Sequence, residues 1–287
     1  MRVTQPPGFT QRVAGGDGGL RFMGGPASGG SLNFDFTTGT LPGAITFTRP
    51  SIGTYTNNAG TLITAGNDVA RFNYVGGVAC LLIEPAAANL ATQSNNLSAG
   101  VWVPLNSAVA TAAQFVSPDG TNNGWSVTSG SGFGALQQNF TFANVPYTIS
   151  AWAKRIVGTA PINFRLGSAN GGDLTTSSSL TRLLSTLTPP AGLAVIAIFI
   201  DAAAGNTDGL YGVQLETGSA ATSYIPTTTT AVTRAADSAV FTIPAGIGHL
   251  TYTFDDNSTQ LVAVSAGSYT VPTSLNRRNI KSIVGSA

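Results

Sequence analysis

The sequence predicts an all-β fold, and three observations predict it. Short runs in which apolar and polar residues alternate recur from residue 31 onward. Gly, Asn, Pro or Asp punctuates the gaps between them. No window carries a convincing helical period of apolar residues. Many short strands parted by turn signals mean a β-sandwich or barrel.

Taken in order, residues 1–30 are rich in Gly and Pro with little periodicity, which reads as a flexible arm. Such a terminus is ordered only when something holds it, so the arm is expected to be an attachment segment gripped by a partner chain. Residues 31–93 form an N-terminal β region. LNFDF alternates, LPG turns, AITFTR alternates, TNNAGTL is a hairpin tip, and RFNYVGGVACLLIEP is strand, Gly-Gly turn, strand. EPAAANLATQS suits one helical turn started by Pro85. Residues 94–220 hold the candidates GWSVTS, ALQQNFTF, YTISAWAKR, INFRLG, LTRLLSTLT, LAVIAIFID and LYGVQLE. Residues 221–238 form a connector. Its threonines disfavour helix and Pro226 lacks a backbone donor, so it should run extended over a neighbouring surface. Residues 239–287 form a small C-terminal β unit with AVFTIP, HLTYTFDD, TQLVAVSAGSYTVP and IKSIVG. A unit of about fifty residues is marginal as a free-standing core. Pairing with the sandwich, or with copies of itself, is expected to complete it.

Composition narrows the setting. At 287 residues the chain is long enough for one large or two modest cores, at about 150 residues per domain. Apolar residues reach 43%, so a core can be built, whereas charged residues are only 9% against the usual ~25%. Thr, Ser, Asn, Gln and Gly must therefore cover most of the surface, which suits an extracellular or particle-surface protein better than a free cytosolic enzyme. A net charge of +1 gives no footprint for nucleic acid or an anionic membrane. The longest apolar stretch, LAVIAIFI, is too short for a membrane span. The opening stretch lacks the apolar core of an export signal. A secreted-style surface without such a signal is the expectation for a protein assembled into particles in a host cytoplasm. The single cysteine, Cys80, excludes an internal disulfide. It sits in an apolar run, where a buried small hydrophobe is expected and a reactive thiol is the alternative.

Three stretches carry a family resemblance. They are TFTRPSIGTYTNNAGTL (46–62), ARFNYVGGVACLLIEPAAANLATQSNNL (70–97, with SPDGTNNGW beyond it) and YGVQLETGSAATSYIPTTTTAVTRAAD (211–237). Together they resemble the carbohydrate-binding-module-like proteins of tailed phages and prophages, found in tail fibres, head fibres and spikes. That pattern runs FTR-x-S-x-x-T-Y, then R-F-x-Y and LLIEP-x-x-x-NL, then Q-L-E-x-G-x-x-x-TSYIPT and TRAAD. This chain departs at EPAAANL, with Ala where an Arg-Thr pair often precedes Asn-Leu. The resemblance implies a jelly-roll β-sandwich at 94–220, often a homotrimer, and glycan binding as a tendency. It implies a virion surface protein, a fibre or spike, docked to capsid or tail proteins through the arm and contacting host surface polysaccharide. The alternatives are a decoration or adaptor protein that binds no glycan and, further off, a polysaccharide depolymerase.

Chemistry is sparse. Glycosidases need two carboxyl groups across a scissile bond, and the only glutamates are Glu84 and Glu216. Both lie in LIEP and QLETG, where a structural carboxylate is the expected reading and a catalytic pair the alternative. The only histidine, His249, has no nucleophile motif beside it. No catalytic residue and no cofactor is therefore expected. In DAAAGNTDG, Asp201, Asn206 and Asp208 offer oxygens, but the spacing is not that of an EF-hand, and an ordinary turn is expected rather than a metal site.

Alternation supplies the better candidates. In YTISAWAKR, Tyr147, Ile149, Ala151 and Ala153 share one face and Thr148, Ser150, Trp152 and Lys154 the other. In INFRLG, Ile162, Phe164 and Leu166 point inward, with Asn163 and Arg165 outward. In LYGVQLE, Tyr211, Val213 and Leu215 are expected inward, with Gln214 and Glu216 on the polar side. Trp152 is then a large aromatic on a polar face, and sugar rings stack on aromatics. Should these strands be neighbours, Trp152, Lys154, Arg165, Gln214 and Glu216 line one glycan groove. The alternative packs Trp152 under a loop, the connector or another subunit. Trp102 and Trp125 are secondary candidates with the same alternative.

Overall fold

The computed structural model describes residues 31–130, 132–159, 161–200 and 204–287; the expected attachment arm, 1–30, lies outside them. Every regular element in this range is a β-strand.

The centre of the chain is a jelly roll, and the strand pairing defines it. Eight consecutive strands pair as nested hairpins: Gly124–Thr128 with Thr207–Thr217, Ala135–Phe142 with Gly192–Ile200, Tyr147–Val157 with Thr181–Leu187, and Ile162–Leu166 with Ala169–Leu174. Rolling up that long hairpin brings Tyr147–Val157 against Thr207–Thr217 and Ile162–Leu166 against Gly192–Ile200. Two sheets result, as in double Greek-key jelly rolls: Gly124–Thr128, Tyr147–Val157, Thr181–Leu187 and Thr207–Thr217 lie in the first, and Ala135–Phe142, Ile162–Leu166, Ala169–Leu174 and Gly192–Ile200 in the second. Val109–Phe115 borders the first sheet and Val103–Leu105 the second. Both sheets point their alternate apolar residues into one core, including Ile149, Ala151 and Leu215 from the first and Phe164, Leu166 and Ile198 from the second.

A second β unit is composite. Strands Thr259–Ala263, His249–Phe254, Asn279–Ser286, Val78–Leu82 and Phe72–Val75 form one sheet, with Asn33–Asp35 beside Asn279–Ser286. Thr46–Thr48, Ser238–Ile243 and Gly267–Thr270 form another. Their shared core takes Phe34, Phe36, Phe47 and Leu81 from the front of the chain and Phe241, Leu250, Phe254 and Ile283 from the back. The C-terminal stretch therefore completes its core with residues 32–83, a partner other than the sandwich or a second copy. The Gly76–Gly77 turn has φ of 58° and 81°, the left-handed pair a two-residue hairpin requires, and it sets Val75 opposite Val78.

The helical turn expected after Pro85 is absent. Ala87–Asn89 is instead a short strand paired with Val232–Arg234 of the connector. Long-range ladder bonds outweigh the local preference there. Among the described residues no helix is long and apolar enough to cross a membrane.

Candidate functional site

The outer face of the first jelly-roll sheet holds an aromatic cluster whose position depends on a β-bulge. Gly212 and Val213 together stand opposite the single Ala151, and Gly212 has φ of 66°. A glycine in that conformation is the mark of a bulge. The extra residue flips everything before it: Leu210 enters the core and Tyr211 comes out beside Trp152, against the inward position that plain alternation gives it. Trp152 meets Tyr224 of the connector edge-on at 5.6 Å and Tyr211 at 6.0 Å between ring centroids. Arg182, its cross-strand neighbour, lays its guanidinium 4.9 Å above the indole. That guanidinium also donates to the Ser150 hydroxyl and to the Thr222 carbonyl. One face of Trp152 is thus occupied by the chain itself, and the ring remains half-buried.

Hydroxyls tie the cluster down. The Tyr211 hydroxyl donates to Asp119 at 2.9 Å, and the Tyr224 hydroxyl meets Asn95 and Ser94 at 2.7 and 2.6 Å. Asp119 also accepts from Ser117, Thr121 and Asn123. Burial works to raise the Asp119 carboxyl, and the hydrogen bonds from Thr121, Ser117 and Asn123 outweigh it, holding the group well below the ordinary carboxylate range. Burial and Asp119 push the Tyr211 phenol up.

The structure brings only part of the expected groove together. Trp152 and Lys154 share the outer face, with Lys154 5.1 Å above the Phe115 ring. Arg165 does not join them: Ile162–Leu166 lies in the second sheet, and Arg165 covers Phe199 there at 4.4 Å. Gln214 and Glu216 do lie on the outer side of their strand, but the connector covers them and both are buried. Gln214 accepts from the Ile225 N–H, and Glu216 accepts the Thr222 N–H and hydroxyl. Trp125 and Trp102 belong to the core, each donating its indole N–H to a carbonyl, of Asn95 and Gln93.

The three motif stretches converge on a buried charge cluster that the sequence reading did not foresee. Asp237 pairs with Arg49 at 3.2 Å and Arg71 at 2.5 Å. Glu84 pairs with Arg71 at 2.9 Å and Arg234 at 3.4 Å. Glu84 also accepts the Ser223 N–H and hydroxyl, while its own N–H donates to Asp237. The three arginines and both carboxylates are almost wholly out of solvent. Burial alone would raise the Glu84 carboxyl; Arg71, Arg234 and Ser223 outweigh it and hold it below the usual range. Asn89 completes the set. Its amide donates to the Val213 and Ile225 carbonyls and accepts from the Ala91 and Leu215 N–H groups. The paired Arg and Asp of TRAAD, three residues apart, were the available signal.

The remaining chemical candidates are accounted for. Glu84 and Glu216 spend their oxygens inside the protein. Among the described residues no hydrogen bond links His249 to a nucleophile or a carboxylate, and no cluster of His, Cys, Asp or Glu suits a metal ion. Asp201 lies outside the described residues, and Asp208 pairs with Arg155 at 3.0 Å. Cys80 is buried, and burial pushes its thiol up.

No family model matches this chain, and no curated protein matches it. Several solved structures align with part of this chain. The CBM22-1 xylan-binding domain of Paenibacillus barcinonensis Xyn10C aligns at TM-score 0.35 and 13% identity, over 47% of this chain and 94% of that domain. The C-terminal CBM6 of the laminarinase LamC from Zobellia galactanivorans aligns at 0.31 and 11%, over 46% and 99%. The enzymatically active domain of tailspike protein 4 of bacteriophage CBA120 aligns at 0.32 and 13%, over 45% of this chain and 21% of that one. The jelly-roll assignment rests on the strand pairing described above.

Proposed function

We propose that the chain is a non-catalytic structural protein on the outside of a tailed-bacteriophage particle, a fibre or spike that contacts host surface polysaccharide. The observation that carries this reading is the convergence of the three motif stretches. Arg49, Arg71 and Glu84, Gln214 and Glu216, and Ser223, Arg234 and Asp237 come from segments far apart in sequence. They meet in one hydrogen-bonded frame. A resemblance made of unrelated fragments would have no reason to interlock, so the frame supports treating the three stretches as one family pattern. The uncharged surface and the jelly roll agree with that reading.

In this reading residues 1–30 dock the protein to capsid or tail proteins, and three copies assemble into a homotrimer in the host cytoplasm. The outer face around Trp152, Lys154, Arg182 and the exposed Leu184 touches glycan. Several weak sites engaged together supply avidity. A decoration or adaptor protein without glycan affinity is the second reading, favoured by one observation: Arg182 already covers a face of Trp152.

The test is whole-cell and glycan-array binding by the purified chain, beside Trp152→Ala and Lys154→Ala. Binding lost in both variants supports contact through this face. A folded, trimeric protein that binds no envelope polysaccharide leaves the decoration or adaptor reading. Release of oligosaccharide from capsule would replace both with a depolymerase.

A further inference from the structure

An open cleft of about 520 Å³ lies beside the Gly53–Thr56 and Phe72–Val75 strands. Its size falls within the range of about 300–1,000 Å³ usual for small-ligand sites. Tyr55, Phe72 and Tyr74 line it, with Asn57, Asn58 and Gly39. Tyr55 comes from the Gly53–Thr56 strand and the other two rings from Phe72–Val75. The Thr56 N–H donates to the Asn73 side chain at 2.8 Å and ties these strands together.

The tyrosines are the informative residues. Of the seven in the chain, five engage their hydroxyl in a hydrogen bond within the protein: Tyr147, Tyr211, Tyr224, Tyr252 and Tyr269. Among the described residues Tyr55 and Tyr74 have no such bond and no ring contact, and both line the cleft. Each offers an apolar ring face together with an uncommitted donor and acceptor. Asn57 commits its Oδ1 to the N–H groups of Ala59 and Thr61. Those two bonds leave its amide nitrogen as a donor for something else. Among the described residues no Asp, Glu, Lys or Arg lines the cleft.

We propose that the Tyr55–Phe72–Tyr74 cleft is a second carbohydrate site, and that it takes a neutral pyranose unit. A sugar ring matches this lining on both counts. Its C–H face stacks on a tyrosine ring, and its hydroxyls complete the bonds that Tyr55, Tyr74 and Asn57 leave open. An anionic sugar finds no cation here to balance its charge. This site shares no lining residue with the Trp152 face, so substitutions test the two separately.

The experiment titrates the full chain with a panel of neutral tetrasaccharides built from glucose, galactose, mannose or N-acetylglucosamine, and with an oligouronate as the anionic probe. Tyrosine ring resonances are followed by NMR. At least one neutral probe is expected to shift the Tyr55 and Tyr74 resonances, and the oligouronate to leave them in place. Tyr55→Ala and Tyr74→Ala, each checked for native unfolding behaviour, should weaken that binding about tenfold, as expected for loss of one stacked ring. Tyr74→Phe keeps the ring and should lose less, so it separates hydroxyl from stacking even if an alanine variant folds poorly. The proposal is overturned if no neutral probe moves these resonances, if the anionic probe binds as well, or if a proline-rich peptide displaces the sugar and binds more tightly. It is also overturned if Trp152→Ala abolishes sugar binding while both alanine variants keep it, an outcome that assigns the affinity to the jelly-roll face.

Discussion

Two sides of the same pair of strands meet opposite fates. On Gly53–Thr56 and Phe72–Val75 the residues alternate. Arg71 and Thr54 turn inward to the charge cluster, where Arg71 holds Asp237 and Glu84 and the Thr54 hydroxyl donates to the Tyr224 carbonyl. Phe72, Tyr74 and Tyr55 line the open cleft on the other side. Around these two strands charge is turned inside and uncharged aromatic surface is left outside, the reverse of the common arrangement. A chain with so few ionisable groups uses a large share of them to fasten the connector over the jelly roll. A surface poor in charge is what remains.

If that division is real, breaking the inner side should dominate every stability measurement. Asp237→Ala leaves Arg49, Arg71 and Arg234 buried with Glu84 as their remaining fully buried carboxylate. Removing one partner from a buried ion cluster costs about 3–5 kcal/mol, and denaturant unfolding should show a loss of that size. Tyr55→Ala, on the outer side of the same strands, should cost about 1 kcal/mol or less. Equal losses would erase the distinction. Acid offers the same test without mutation. The Glu84 carboxyl is depressed in the folded chain, so its contribution is present above the ordinary glutamate value of about 4.3. It is lost as pH falls through the lower folded value. Stability measured from pH 6 downward should fall below about pH 4.3, and Glu84→Gln should flatten that decline.

The bulge permits a smaller, sharper test. Gly212→Ala forces a side chain into a left-handed conformation, and its Cβ would lie 3.1 Å from the Trp152 ring and 3.2 Å from Tyr224. Strain of this kind amounts to about 1–3 kcal/mol. The near-ultraviolet circular dichroism of the Trp152–Tyr211–Tyr224 cluster should change with it. An unchanged spectrum would mean that the cluster does not depend on the bulge.

What could be read from the sequence follows from the range of each interaction. Period-2 alternation placed Ile149, Ala151, Phe164 and Leu166 in the core, because straight strands obey a local rule. The rule broke at Gly212, where one inserted residue exchanges the faces of Tyr211 and Leu210. The lone glycine inside LYGVQLE was the local sign of it. Pairing of residues 33–82 with 249–286 is a long-range choice that no local pattern encodes. The same holds for the burial of Glu216 and Gln214. Both sit on the polar side of their strand, as alternation requires, and a connector from further along the chain then covers that side. The cleft left a fainter trace: Phe72 and Tyr74 fall two apart and so share a face. Nothing local brings Tyr55 beside them.

The smallest effect belongs to Arg165, and it sharpens the comparison from the other end. By alternation it is an outward cation near an outward tryptophan, and composition offers nothing against that pairing. The jelly-roll wrapping separates them, because successive strands along each arm of the long hairpin fall in opposite sheets, and only the tip pair, Ile162–Leu166 and Ala169–Leu174, shares one. Ile162–Leu166 follows Tyr147–Val157 in sequence and therefore belongs to the opposite one. There the Arg165 guanidinium covers Phe199, a half-exposed contact of about 0.5–1 kcal/mol at most. Arg165→Ala should thus lower stability by about 0.5 kcal/mol and leave binding of any glycan at its wild-type strength, on the array and in the tyrosine titration alike. A marked loss of binding would mean that sugar is held on the second sheet, and neither the Trp152 face nor the tyrosine cleft would then account for it.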